Sequence, residues 1–203
     1  MKIKSFIIAC LAILGLVSCS KDGSQTIKLD EFVAAKDNFG RSFEGERLMG
    51  TVFSIVPGDY TIKWSVKDEL PQMTNYKGEM KIKLKLNKKV EIIDEERAKD
   101  SRNFPTFTLV DANGQKNTKN SSEWVIGKDP WGINNNNDLT MEFVEFLRSE
   151  PGTVKEITLT SLLLEASSKD YAQQITFIKN EAKGLELNVD DDEFYQKWLK
   201  IAE

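Results

Sequence analysis

Two tryptophans lie seven residues apart in a segment rich in turn-forming residues, between residues 122 and 132. The candidate ligand-binding residues of this segment are Trp124, Asp129 and Trp131. Indole rings carried by a loop can stack on sugar rings, while nearby polar groups bond the sugar hydroxyls. The alternative is that one or both rings pin the loop onto the core, because tryptophan is mostly buried in folded proteins.

The residue types of the chain give little support for an enzyme. The 203-residue chain has no histidine, which excludes Ser-His-Asp catalysis and zinc sites that use histidine. Two carboxylates would suffice for a glycosidase, but 32 acidic residues make any one pair uninformative. We therefore expect no catalytic residue, no metal and no cofactor. Calcium bound by Asp129, Asn134 and Asp138, or by the three aspartates at 190–192, is a weaker alternative.

The charge balance argues against a nucleic-acid partner. Lys and Arg number 28 against 32 Asp and Glu, which gives a formal net charge of −4. Proteins that bind nucleic acid carry strongly basic surfaces. A local exception is the row Lys81, Lys83 and Lys85, for which we expect a solvated strand face. A basic stripe that meets lipid headgroups or anionic glycans is the alternative.

The first twenty residues form an export signal. Two lysines precede an apolar run at residues 6–17, which is shorter than the roughly 20 residues of a membrane-spanning helix and fits a secretory signal peptide. The run ends in Leu16-Val17-Ser18-Cys19. This motif resembles the lipobox of bacterial lipoproteins at all four positions, over about a tenth of the chain. An ordinary signal peptide with a chance cysteine is the alternative.

The resemblance implies processing and a membrane anchor. Cleavage would fall between Ser18 and Cys19, the Cys19 thiol would carry a diacylglyceryl group, and the new amine would be acylated, as with palmitate. Two or three acyl chains hold a protein stably on a membrane. The segment that begins at Cys19 looks like those of Bacteroidota envelope lipoproteins with an immunoglobulin-like domain. Ser20 favours the outer membrane, on either its periplasmic face or the cell surface.

These expectations divide the chain into three parts. Residues 1–18 form the removed signal peptide, residues 19–26 the lipidated cysteine with a flexible tether, and residues 27–203 a single domain. Cys10 leaves with the signal and Cys19 carries the lipid, so no disulfide is expected. The domain must therefore be stabilised by a hydrophobic core, which 185 residues are long enough to form.

Alternating apolar and polar residues dominate after residue 50, and this is the period of a β-strand. Turn signals separate the runs, of which Asn113-Gly114 is the best hairpin candidate. About eight strands with one apolar face each favour an all-β, antiparallel, immunoglobulin-like sandwich, with a jelly roll as the alternative. The expected strands are residues 51–56, 61–67, 80–86, 106–110, 139–143, a run that starts at 157, 174–178 and 185–189.

Two segments are predicted to be helical. One is short, at residues 30–37. The other is a C-terminal helix at about 190–203, with Phe194, Trp198 and Ile201 on one face and the preceding aspartates at its N-terminus.

The sequence as a whole predicts a lipid-anchored envelope protein. Its expected role is that of a non-catalytic interaction module that docks on an envelope protein partner. The alternative is a glycan-binding surface lipoprotein that uses the segment from Trp124 to Trp131 to hold a polysaccharide. A carboxylate-based hydrolase is the third hypothesis.

Overall fold

A computed structural model describes residues 22–29, 32–36, 48–70, 73–116, 123–128, 135–165, 175–188 and 192–203. Strands and short helices alternate along these residues. No helix in the described ranges is long and apolar enough to cross a membrane.

The strands within these ranges are β1 Gly23–Leu29, β2 Phe32–Lys36, β3 Phe53–Ile55, β4 Gly58–Leu70, β5 Met73–Leu86, β6 Val90–Ile92, β7 Thr106–Val110, β8 Val154–Glu165, β9 Gly184–Asn188 and β10 Leu199–Ile201. The helices are α1 Leu48–Val52, α2 Glu95–Ala98, α3 Asn137–Leu147, α4 at residues 175–180 and α5 Asp192–Gln196, with a 3₁₀ turn at Ser101–Asn103.

A five-stranded antiparallel sheet, called the main sheet here, forms one layer of the fold. Its central strand β5 pairs with β8 along one edge and with β4 and β3 along the other, and β1 pairs with the far edge of β4. Strict alternation in β5 buries Met80, Ile82 and Leu84 and exposes the lysines between them. The main sheet therefore has an apolar inner face and a polar outer face.

The inner face shares one hydrophobic core with the helices and with strands β6, β7, β9 and β10, and the helices, the β2-β9-β7 sheet and the β10-β6 pair are together called the second layer here. Phe53 of β3 meets Phe143 of α3 edge-to-face, with ring centroids 6.0 Å apart. Phe104 lies 4.7 Å from Phe143 and 6.1 Å from Trp198, centroid to centroid, so the C-terminal segment joins the same core. Such ring pairs add to the stabilisation that burial itself provides.

The predominantly antiparallel β character is confirmed, and strand pairing agrees with several predictions. The predicted strands at 61–67, 80–86 and 106–110 lie within β4, β5 and β7, the run from 157 lies within β8, and the prediction at 185–189 matches β9. The Asn113-Gly114 turn also forms. Asp111 accepts bonds from the N–H groups of Asn113 and Gln115, and Gly114 has a φ of 73°.

Two predicted strands are helices instead. Residues 139–143 lie in α3, where Asn136 accepts a bond from the Leu139 N–H and caps the first turn. Met141, which the strand pattern placed on the apolar face, is 41% exposed. The buried set Phe143, Val144 and Leu147 follows the helical period. Residues 175–180 are likewise helical rather than extended, with the buried pair at 175 and 178 one turn apart.

One element type and three boundaries also differ from the predictions. The predicted helix at 30–37 is wrong, because residues 32–36 form strand β2, which pairs in parallel with β9. The predicted strand at 51–56 is split between α1 and β3, and the C-terminal helix ends at Gln196 before β10 pairs with β6. Residues 23–26, expected in the tether, belong to β1. Short amphipathic runs fit both the period of a helix and the period of a strand, and pairing with residues distant in the chain decides which element forms.

Candidate binding site

Trp124 lies in the core rather than on a ligand-binding surface. Its indole is 0% exposed, and its backbone exchanges two hydrogen bonds with Phe107 of β7, at 2.9 and 2.8 Å. A Cβ placed on Gly78 of β5 would stand 3.0 Å from the indole Cη2, so the ring lies directly against the main sheet. A fully buried ring presents no face to a sugar. Trp124 therefore takes the packing role that the sequence left open as the alternative.

The other predicted site residues fall outside the described residues. These are Asp129 and Trp131 of the ligand-binding set, together with Ser18 and Cys19 of the lipobox.

Residues 123–128 and 135–136, named the loop base, hold both ends of the connection that contains Trp131. Val125 exchanges backbone hydrogen bonds with Thr160 of β8 at 2.8 and 3.0 Å, and the Thr160 hydroxyl donates to the Lys128 carbonyl at 3.0 Å. Lys128 and Asn135 form an antiparallel bridge. Six residues thus connect two positions that are fixed next to each other.

Gly127 is the residue on which the loop base turns. Its φ is +71°, and its carbonyl accepts a hydrogen bond from the Asn136 N–H at 2.5 Å, just before α3. A side chain at this position would collide with the hydroxyl of Thr140. The left-handed conformation and the close approach both require glycine.

An open cleft of about 670 Å³, lined mostly by charged side chains, lies on the second layer near the loop base. Ser101 of the 3₁₀ turn connects the two, because its hydroxyl donates to the Asn135 Oδ1 at 2.7 Å. The cleft is lined by Asp94, Glu96, Arg97, Asp100, Arg102, Asn103 and Phe194.

Two aspartates orient the arginines of the cleft. Asp94 caps α2 by accepting bonds from the N–H groups of Glu96 and Arg97, and it also accepts from the Arg97 Nε at 3.1 Å. Asp100 caps the 3₁₀ turn and accepts from Nε and Nη2 of Arg102 at 2.9 and 2.6 Å. Each carboxylate fixes a turn and an arginine at once, so the guanidinium groups are pre-oriented.

The electrostatics follow from this geometry. The hydrogen bond from the Arg102 side chain lowers the pKa of Asp100 below its usual value. The Arg102 backbone N–H and the positive charges of Arg102 and Lys128 act in the same direction. Lys128 belongs to the loop base, so a positive charge of the loop base acts on a carboxylate of the cleft.

The arginines keep donors for a ligand. A guanidinium has five N–H donors, and Asp100 occupies only the Nε and Nη2 atoms of Arg102, whose side chain is 76% exposed. Arg97 is similarly open, at 50% exposure. Phe194 adds an aromatic surface to the same cleft. The arrangement suits recognition of carboxylates, backbone carbonyls or hydroxyls.

The sequence did not identify the cleft. Residues 94–103 are adjacent in the chain, but Phe194 comes from the C-terminal segment and reaches the cleft only through tertiary packing. The available signal was the pair of capping patterns, an aspartate followed by arginine three positions later at 94–97 and two positions later at 100–102. Such patterns predict helix starts and say nothing about a shared surface.

Two carboxylates of the cleft, Asp94 and Asp100, serve as caps and the third, Glu96, pairs with Lys99. No group of three His, Cys, Asp or Glu residues within the described ranges could hold a metal ion. Comparison with protein-family models, curated proteins and solved structures finds no match to this chain.

Proposed function

We propose that this protein is a lipid-anchored, non-catalytic protein of the bacterial envelope that acts as a binding module and docks on an envelope protein partner. The docking surface in this proposal is the cleft that residues of the 94–103 segment form together with Phe194. The observation that carries it is the pair of pre-oriented, open guanidinium groups of Arg97 and Arg102 beside Phe194. Arginine and aromatic side chains are enriched where proteins bind one another.

The anchor and the docking surface are tested separately. Mass spectrometry of the N-terminal peptide from purified membranes should find acylated Cys19 and no residue before it. An unmodified Cys19 would remove the anchor from the proposal. For docking, a pull-down from solubilised membranes should recover one stoichiometric partner. No enrichment over a protein that carries only residues 19–26 would refute it.

A glycan-binding surface lipoprotein is the second candidate, with an outer-membrane location in either case. It is favoured by the loop base, which fixes both ends of the six-residue connection that contains Asp129 and Trp131. Rigid scaffolds that present short loops are common settings for recognition. Tryptophan fluorescence titrated with polysaccharides should show a saturable change that Trp131→Ala abolishes. A flat response to every polysaccharide would leave the protein partner as the ligand.

Two further hypotheses are retained in narrower form. A hydrolase would need two carboxylates free to act on a substrate, whereas the Asp94 and Asp100 carboxylates accept hydrogen bonds from backbone N–H groups and from arginine side chains. We also propose a sandwich-like arrangement of the two layers, immunoglobulin-like with a jelly roll as the alternative. It is supported by the packing of the main sheet on a layer that contains β7 and β9, and an experimental structure with complete connections would test it.

A further inference from the structure

The outer face of the main sheet concentrates positive charge on a chain that is acidic overall. Among the residues whose side chains the structure describes, six lysines and three carboxylates lie on this face, an excess of three positive charges where the whole chain has a net charge of −4, and the Asp22 carboxylate lies at its edge. The lysines are Lys28, Lys63, Lys77, Lys81, Lys83 and Lys85, and the carboxylates are Asp59, Glu79 and Glu156.

Neutralisation across this face is incomplete. Lys77 pairs with Glu79 at 3.3 Å, and Lys81 pairs with Glu156 at 3.6 Å. Among the described residues, Lys63, Lys83 and Lys85 are exposed and have no carboxylate within salt-bridge distance. These three lysines gain no ion-pair energy, and even exposed pairs contribute little to folding, so their charge is not explained by stability.

The uncharged residues of the face are mostly short hydroxyl side chains. Thr26 of β1 and Thr61 of β4 bond each other across the strands at 3.1 Å, and Ser24, Ser65 and Thr158 lie on the same face. Next to Lys85, its cross-strand neighbour Val154 is 51% exposed. The long lysine side chains can therefore extend beyond these short neighbours toward a partner, and Lys63, Lys81 and Lys83 border a concavity of about 390 Å³ on the same face.

The position of β1 brings this face close to the proposed anchor. Gly23 lies only four positions after Cys19, a reach of at most about 14 Å. The Asp22 carboxylate accepts a hydrogen bond from the Val66 N–H at 2.8 Å, which fixes where the chain enters the main sheet. Gly23 pairs with Trp64 of β4, and Trp64 pairs with Gly78 of β5, so Gly78 marks the level of the entry point on the central strand. Lys85 is seven residues further along β5, a distance of about 23 Å.

We propose that the outer face of the main sheet docks on a membrane surface rich in anionic phospholipid headgroups. The positive excess matches such a surface in sign, and each lysine near it contributes favourably. The short reach from Cys19 keeps the end of the main sheet at which β1 begins close to the bilayer, and the charge of the outer face then favours contact through that face. In this orientation the cleft, which belongs to the second layer, stays available to a partner. The inference goes beyond the proposed function and rests on it only for the anchor.

The first test measures orientation on vesicles with the lipidated mature protein. Because Cys19 carries the lipid, single cysteines introduced as Thr61→Cys on the outer face or Glu96→Cys in the cleft can be labelled selectively. Energy transfer to headgroup-labelled lipid should be stronger from position 61 than from 96 on vesicles that contain phosphatidylglycerol. The difference should shrink on phosphatidylcholine alone and in high salt. Equal transfer from both positions on anionic vesicles would overturn the proposal.

The second test does not need the anchor. The unlipidated chain from Ser20 to Glu203, which contains every described element, is sedimented with the same vesicles. The triple variant Lys63→Gln, Lys83→Gln, Lys85→Gln should bind phosphatidylglycerol vesicles about a hundred-fold more weakly than the parent chain. Its matched control removes three lysines of the second layer, Lys99→Gln, Lys197→Gln and Lys200→Gln, and should bind like the parent.

The outcomes separate the two proposals. If Cys19 is unmodified but vesicle binding depends on the outer-face lysines, the lipid anchor is refuted and docking through the outer face is supported. If Cys19 is acylated but both triple variants bind vesicles equally well, the lipid anchor is supported and docking through the outer face is overturned. Binding of the parent chain to a soluble polyanion but not to vesicles would also overturn the lipid assignment.

Discussion

Removal of the Trp124 indole should destabilise the fold more than any surface change in the same region. The ring is 0% exposed, and its Nε1 has no hydrogen-bond partner in the described part of the chain, so packing accounts for its contribution. A tryptophan buries about 150–250 Å², which at about 25 cal/mol per Å² corresponds to about 4–6 kcal/mol. Measured truncations of buried Trp or Phe to Ala cost about 3–5 kcal/mol. We expect Trp124→Ala to cost about 4 kcal/mol.

Thermal unfolding of the chain from Ser20 to Glu203, followed by circular dichroism, measures this loss. At about 2–4 °C per kcal/mol for a chain of this size, the midpoint should fall by about 8–16 °C. Trp124→Phe keeps a ring in place and should lose much less. Met141→Ala, a truncation at a position that is 41% exposed, is the matched control and should change stability by about 0.5 kcal/mol. Equal midpoints for Trp124→Ala and Met141→Ala would show that the indole does not pack as described.

Three further substitutions test other parts of the structure. Gly127→Ala should cost at least about 1–2 kcal/mol in urea unfolding, because φ is +71° and the new Cβ meets a hydroxyl of α3; an unchanged midpoint would contradict this turn. Lys116→Ala should cost about 2 kcal/mol, because it removes a cation that lies 3.2 Å from the fully buried Glu186 carboxylate, and adding Glu186→Gln should recover part of the loss. Asp100→Asn keeps a capping side chain but removes the charged hydrogen bonds to Arg102, and it should cost up to about 1 kcal/mol near neutral pH. The pKa of Asp100 is lowered in the folded state, chiefly by its hydrogen bond from Arg102. The difference in free energy of unfolding between the wild type and this variant should therefore be largest above the ordinary carboxyl pKa of about 4. It should vanish as the pH falls through the lower folded pKa. A pH-independent difference would refute that assignment.

Residue pattern alone predicted the long strands because their period is unambiguous. In β5, apolar and lysine residues alternate over several positions, and only a strand places all of the apolar ones on one face. The run at 139–143 is shorter and fits two periods. The Asn136 cap and the aromatic packing of Phe143 against Phe53, which is distant in sequence, favour the helix.

The candidate site was less predictable than the strands. The segment from Trp124 to Trp131 stood out by composition, yet composition does not show which ring faces the core. The burial of Trp124 depends on the small residue Gly78, 46 positions earlier in the chain and opposite the ring. The cleft depends on a similarly distant neighbour, Phe194. Local pattern cannot supply such pairings, because they are set by how the layers meet.

The proposed docking surface is tested most directly by a quantitative pull-down from solubilised membranes. Bait protein carrying Arg97→Ala and Arg102→Ala is compared with the wild type and with Lys89→Ala, Lys200→Ala, whose lysines are also exposed and ion-paired. The cleft proposal predicts one stoichiometric partner that both the wild type and the lysine variant recover and the arginine variant loses. Equal recovery of that partner by all three proteins would contradict it.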